Sequence, residues 1–153
     1  MLGGVTTAHQ LRYSYEDYLG ALDDSEIRLE YCAGVLYAMA GGTLTHAQLC
    51  ATVIGVLRQA LLGRCVVLSS DAKVRVDASD FAGFPDASVV CGDRSTSRID
   101  ASALTNPSVL VEVTSRSTED YDRGEKLAHY QRLPSLRAVL FVSHRERRVT
   151  VTE

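Results

Sequence analysis

The stretch that most limits the folds open to this 153-residue chain is an apolar run with a carboxylate inside it. Residues 108–113 read Ser-Val-Leu-Val-Glu-Val, the β-branched, apolar composition of a buried strand. Glu112 stands within that run. A carboxylate there is costly unless it is paired, hydrogen-bonded or bound to a metal, so the fold must supply one of these. A polar segment follows, then a helix pattern that carries Lys126. Asp122 lies one turn before that lysine, and His129 and Tyr130 lie one turn after it.

The length is enough for one domain with a real core. A 46% hydrophobic and 23% charged composition is an ordinary globular balance. The net charge of −3 gives no support for a protein held to nucleic acid by overall charge, although a local basic groove remains open. Cys32, Cys50, Cys65 and Cys91 show no zinc-type spacing and fall in expected strands or helices. They read as buried free thiols of a reducing compartment. The N-terminal stretch lacks the pattern of a signal peptide, and no apolar segment is long enough to span a bilayer. The expectation is a soluble cytoplasmic protein.

Taken in order, residues 1–13 show no pattern and read as a loose arm. Ser14 can cap a helix over residues 15–22, with Glu16 and Asp17 favourable in its first turn. Residues 27–31 and 35–39 read as two strands joined by a turn at Ala33-Gly34, which sets Glu30 in an apolar hairpin. Residues 44–62 have the clearest helical spacing. Thr45 and Gln48 suggest a capping box, Gly63 supplies the stop, and His46 lies in the first turn.

Strands are expected at residues 65–68 and 72–76. In the second, Lys73 and Arg75 alternate with Val74 and Val76, which predicts one face that is solvated or turned to a polyanion. Residues 77–83 read as a loop and 86–91 as a strand. Residues 92–106 read as a surface loop with a helical turn at 101–104. After the Glu112 strand, Ser117 and Thr118 can cap a helix over 119–132. A strand at 139–143 and another beginning at Val149 close the chain.

The acids and bases at strand ends or inside apolar runs are Glu30, Asp86, Glu112 and Lys126. If the strands of Asp86 and Glu112 are neighbours, the two carboxylates converge and repel unless a cation lies between them. One or two carboxylates with water suit Mg²⁺ or Mn²⁺. Such an ion would favour attack of water on a phosphate, and a nearby lysine would neutralise developing charge.

These residues occur as Pro85-Asp86, then Val111-Glu112-Val113, then Ser115-x-Ser117-Thr118-x-x-Tyr121-Asp122-x-Gly124-x-Lys126. This pattern resembles the Uma-type putative restriction endonucleases, a bacterial group within the PD-(D/E)xK nuclease superfamily. The resemblance covers nearly the whole chain. It includes Tyr15-Glu16-Asp17-Tyr18-Leu19, Arg28-Leu29-Glu30-Tyr31, Met39-Ala40-Gly41-Gly42 and His46. It implies a single α/β domain over residues 1–153, a mixed central sheet flanked by helices with an αβββαβ core.

The resemblance further implies that Asp86 and Glu112 bind Mg²⁺ or Mn²⁺, helped by the Val113 carbonyl. Lys126 would replace the usual lysine two residues after the glutamate, where this chain has Thr114. Glu30 would add a carboxylate, and His46 a phosphate or water contact. The implied activity is endonucleolytic hydrolysis of nucleic acid, DNA by expectation, in a homodimer. Lys73, Arg75 and Arg116 are the candidate phosphate contacts. Two departures stand out. Arg116 occupies a position where the family usually has proline. Family members also continue for roughly 30 residues more, a length still within one domain, which would supply further C-terminal strands.

Blander readings compete residue by residue. Asp86 could make only local hydrogen bonds. Glu112 could pair with Arg75 as a structural ion pair. Asp122 and Lys126 have the spacing of a surface helical pair. The rival to an enzyme is an inactive nuclease-fold module for nucleic-acid binding or protein interaction.

Overall fold

The computed structural model describes residues 11–39 and 41–153. Most of the expected N-terminal arm, His9 and the Ala40 of the Met39–Gly42 block lie outside the described residues. Helix α1 (Tyr15–Asp24) begins in a full capping box: Ser14 Oγ accepts from the Asp17 N–H, and the Asp17 carboxylate accepts from the Ser14 N–H. Strands β1 (Leu29–Cys32) and β2 (Val35–Ala38) form the expected hairpin. Ala33 and Gly34 turn it with φ of 45° and 91°, both positive, as a two-residue turn matched to strand twist requires.

Helix α2 (Leu44–Ala60) is capped by Thr43 rather than Thr45, and the Thr43 hydroxyl accepts from the His46 N–H at 3.1 Å. Strands β3 (Cys65–Ser69), β4 (Lys73–Val76), β5 (Phe81–Gly83) and β6 (Ala87–Cys91) follow. Then come β7 (Ala103–Leu104) and β8 (Val109–Val113). A helix α3 over residues 119–130 is α-helical at its ends and π-helical across Asp122–Lys126. Strands β9 (Ala138–Val142) and β10 (Val149–Thr152) complete the chain.

The mixed α/β class holds, but the strands divide into two five-stranded sheets, β2-β1-β5-β4-β7 and β10-β9-β8-β6-β3. Each contains one parallel pair, β4 with β7 and β8 with β9. Two expectations fail here. Residues 81–83 are a strand, not loop, because β1 and β4 pair on both sides of a segment too short to show its own periodicity. Residues 103–104 join β4 as a parallel strand instead of forming a helical turn.

The sheets meet in one core made by Val74, Val76 and Phe81 from one and Val90, Leu110 and Phe141 from the other, with Tyr130 of α3. Helix α1 packs Tyr15 and Tyr18 on Tyr31. Leu49, Val53 and Leu57 of α2 cover the opposite face of β8, against Val111 and Val113. Strand alternation therefore turns Glu112 toward the same side as Leu110, into the space shared with α3. Among the described residues, no helix is long and apolar enough to cross a membrane.

The charged strand β4 corrects another expectation. Lys73 and Arg75 are buried, 4% and 5% exposed, not solvated. Lys73 Nζ lies 2.7 Å from Asp100 Oδ2. Arg75 bonds Asp77 and Asp80, and its guanidinium stacks over Tyr15. Both charges are neutralised inside the fold and neither faces a groove for phosphate. The cysteines divide too. Cys65 and Cys91 stand directly opposite in the β3–β6 ladder, with Cα atoms 4.2 Å apart, and form a disulfide. Cys32 and Cys50 are free. The case for a reducing compartment from four free thiols therefore loses its basis.

Candidate active site

Strand β6 pairs antiparallel with β8 through Ala87↔Val111 and Ser88↔Leu110. One step further along that ladder brings Asp86, just outside β6, beside Glu112. Asp86 Oδ2 accepts a 2.7 Å hydrogen bond from the Val113 N–H. The proline before Asp86 has no N–H to give the ladder, which is where regular pairing gives way to this side-chain contact. Asp86 and Glu112 both line a cavity of about 710 Å³, together with Glu30, His46, Arg116 and Lys126. Sequence reasoning named all six.

Glu112 is 3% exposed. Its Oε1 accepts from the Tyr130 hydroxyl at 2.8 Å and from Lys126 Nζ at 3.0 Å. Lys126 Nζ is also 3.0 Å from Glu30 Oε1 and 3.9 Å from Asp122 Oδ1. The Asp122–Lys126 pair is thus buried, not a surface pair, and Glu112 answers to Lys126, not Arg75. Glu30 Oε1 accepts the Phe84 N–H at 3.0 Å, and Tyr121 donates to Oε2 at 3.4 Å. The π-helical turn lets Asp122 and Lys126 both be buried on this side of α3. Such turns are frequent at functional sites.

Burial raises the Glu112 carboxyl to about 8; Lys126 opposes that shift, while Asp122, Asp86 and Glu30 add to it. Burial also raises Asp122, against the pull of Lys126. For Lys126, burial works against the ammonium, but Glu112, Glu30 and Asp122 outweigh it and hold the group charged. One ammonium among four carboxylates leaves the pocket short of positive charge.

Helix α2 aims His46 at the same place. Its Nε2–H donates to the Val113 carbonyl at 3.0 Å and lies 3.5 Å from Asp86 Oδ2. Its Nδ1 then accepts from the Cys50 thiol at 3.5 Å. Gly42 makes room for the ring: a Cβ there would stand 3.0 Å from His46 Nδ1. His46, Cys50 and Asp86 place one donor atom each within 4.8 Å of one another. The Val113 carbonyl, an expected metal contact, is thereby engaged by His46.

The donor set fits a hard divalent cation. Asp86 uses Oδ2 and Glu112 uses Oε1 in protein contacts, and both residues line the cavity. Two carboxylates with room for water match what Mg²⁺ and Mn²⁺ prefer. Arg116 is exposed and lines the same cavity, with no ion pair among the described residues. Sequence reasoning missed Tyr121, Tyr130 and Cys50 as members of the site. The spacing of Asp122, Lys126 and Tyr130 on one helix was the available signal for Tyr130.

Comparison with known proteins gives the family and the fold. The Uma2 family profile, described as "Putative restriction endonuclease", matches residues 14–153. A Synechocystis protein named "Uncharacterized protein slr1290" is 36% identical over 138 residues, covering 86% of this chain and 69% of its own length. A second from the same organism, "Uncharacterized protein sll1609", is 24% identical over 127 residues, covering 82% of this chain and 72% of its own. A crystal structure titled as a putative nuclease belonging to DUF820 from Anabaena variabilis superposes with a TM-score of 0.77. At 15% identity, over 92% of this chain and 79% of that one, it shows a shared fold.

Proposed function

The chain belongs to the Uma2 family of putative restriction endonucleases, and from that premise we propose that it hydrolyses phosphodiester bonds of nucleic acid, with DNA as substrate. The observation that carries this reading is the convergence of Asp86 and Glu112 on one cavity, with Lys126 Nζ 3.0 Å from Glu112. Asp86 and Glu112 would hold a Mg²⁺ or Mn²⁺ ion through the oxygens that protein contacts leave open. When bound, such an ion supplies Lewis-acid stabilisation of charge on a phosphodiester.

The chain's own groups do the rest. Arg116 at the rim receives a backbone phosphate. Lys126 fixes the Glu112 and Glu30 carboxylates and contributes the positive charge nearest the reacting phosphate. Tyr130 also bonds Glu112 Oε1, so two contacts from α3 hold the carboxylate in one orientation. His46 sets the Val113 carbonyl and stands beside Asp86. Water is the nucleophile: its oxygen bonds to phosphorus as one P–O ester bond breaks, and its protons pass to solvent and to the leaving oxygen. A homodimer would present two such sites to the two strands of a duplex.

The test is cleavage of plasmid DNA by purified protein with Mg²⁺ or Mn²⁺, beside Asp86→Ala and Glu112→Gln. Cleavage by the wild type and its loss in both variants is the expected result. An Asp86→Ala protein that cleaves as fast as the wild type would falsify the assignment. Cleavage of RNA but not DNA would keep the site and change the substrate.

A further inference from the structure

A second group of metal-type donors lies on α3, outside the pocket of Asp86 and Glu112. Cys32 in β1, and Glu125 and His129 in α3, place one donor atom each within 4.8 Å of one another. Cys32 Sγ and His129 Nε2 are 3.3 Å apart. We propose that these three residues bind a zinc-class divalent ion that ties the β1–β2 hairpin to α3.

The geometry follows from how the two elements run together. Glu30 and Cys32 occupy alternate positions of β1 and so share a face. On the helix, Lys126 meets Glu30 and, one turn on, His129 meets Cys32. Glu125 and His129 are four apart and lie on the same side of the helix. The donor set is one thiol, one imidazole and one carboxylate, and the thiol would give up its proton on binding the metal. Thiolate and imidazole select zinc-like ions over magnesium, and three protein ligands plus water is a standard zinc arrangement.

The spacing agrees. A tetrahedral zinc with ordinary Zn–S and Zn–N lengths holds its sulfur and nitrogen ligands about 3.6 Å apart. The 3.3 Å between Cys32 Sγ and His129 Nε2 needs only a few tenths of an ångström of adjustment. The His129 ring is already oriented, stacked on Phe81 at 4.6 Å and 6°. The neighbouring Arg132 is turned away to the Ala78 carbonyl. Cys32 and His129 are half-buried and Glu125 is exposed, so an ion has a path in from solvent.

The inference stands independently of the nuclease reading, since none of its ligands is a residue assigned to cleavage. The test is titration of the purified, non-reduced protein with Co²⁺, followed by its thiolate-to-cobalt charge-transfer absorption. With Cys65 and Cys91 bridged, only Cys32 and Cys50 can give that band. The expected result is a band in the wild type and in Cys50→Ser that disappears in Cys32→Ser and His129→Ala and is displaced by equimolar Zn²⁺. Circular dichroism of the variants confirms that they are folded, and Glu125→Gln, a surface change, should weaken the band without touching the core. A folded wild type with no band, or a band lost in Cys50→Ser and kept in Cys32→Ser, overturns the proposal.

Discussion

Lys126 Nζ lies 3.0 Å from Glu112 Oε1, and both side chains are almost wholly buried, at 3% and 4% exposure. The lysine is the positive charge on which three buried carboxylates depend, Glu112, Glu30 and Asp122. Removing one partner of a buried pair leaves uncompensated charge and typically costs about 3–5 kcal/mol. Lys126→Met should therefore lower the urea midpoint by that order as well as abolish cleavage. Lys126→Met with Glu112→Gln should recover part of the stability and none of the activity. A Lys126→Met protein as stable as the wild type would show that the pair is not the structural hub described here.

Gly83 is held to glycine by close approach. A Cβ there would stand 2.6 Å from Phe81 Cζ and 3.0 Å from Glu30 Oε1. Phe81 belongs to the central core and Glu30 to the pocket, so Gly83→Ala presses on both. Overpacking of this kind costs about 1–3 kcal/mol. Gly83→Ala should be less stable by that order in urea and slower in cleavage, whereas alanine at exposed Gly124, where a Cβ meets nothing within 4 Å, should leave activity nearly intact.

Asp100 carries a pH dependence remote from the pocket. Burial alone would raise its carboxyl, but Lys73 at 2.7 Å, the Ser102 hydroxyl and the Tyr15 hydroxyl outweigh that and lower it. A carboxylate lowered in the fold contributes stability above its ordinary value of 3.8. That contribution is lost as the pH falls through the lower folded value. The wild type should therefore exceed Asp100→Asn in urea midpoint at pH 7, and the gap should narrow below about pH 4. A gap that stays constant from pH 7 to pH 3 would mean that the carboxylate's charge is not what stabilises.

Three acids of the pocket were legible in the sequence because each breaks a local rule, while Lys126, His46 and Arg116 stood out through the family resemblance. Glu112 sits in an apolar strand, Glu30 in an apolar hairpin, and Asp86 follows a proline. Lys73 and Arg75 break the same rule, yet they read as a solvated face because alternation with valine looks identical whether the polar side meets water or buried acids. Asp100, brought to Lys73 from the loop before β7, and the turn after β4 that folds Asp77 and Asp80 back onto Arg75 decide the matter. The division into two sheets was likewise invisible, since β5 and β7 are too short to carry a period and exist through their partners. Tyr130 was seen beside Lys126, but its bond to Glu112 depends on how α3 lies over β8.

The Cys65–Cys91 bridge closes a sequence separation of 26 residues, and its position predicts a split between stability and activity. Closing such a loop removes freedom from the unfolded chain, on the order of 2–4 kcal/mol. The bridge joins the start of β3 to the end of β6, while Ser69↔Ala87 forms the other end of that ladder, next to Asp86. The whole length of β6 thus separates the bridge from the pocket. Cys65→Ser with Cys91→Ser should lower the urea midpoint by that order and leave the cleavage rate at saturating metal unchanged at 25 °C. The same loss should follow in the wild type on adding a thiol reductant, and the double variant should be insensitive to it. Equal denaturation of oxidised and reduced wild type would show that the bridge contributes nothing to the fold. A loss of cleavage in a fully folded double variant would show instead that the edge of the sheet sets the position of Asp86.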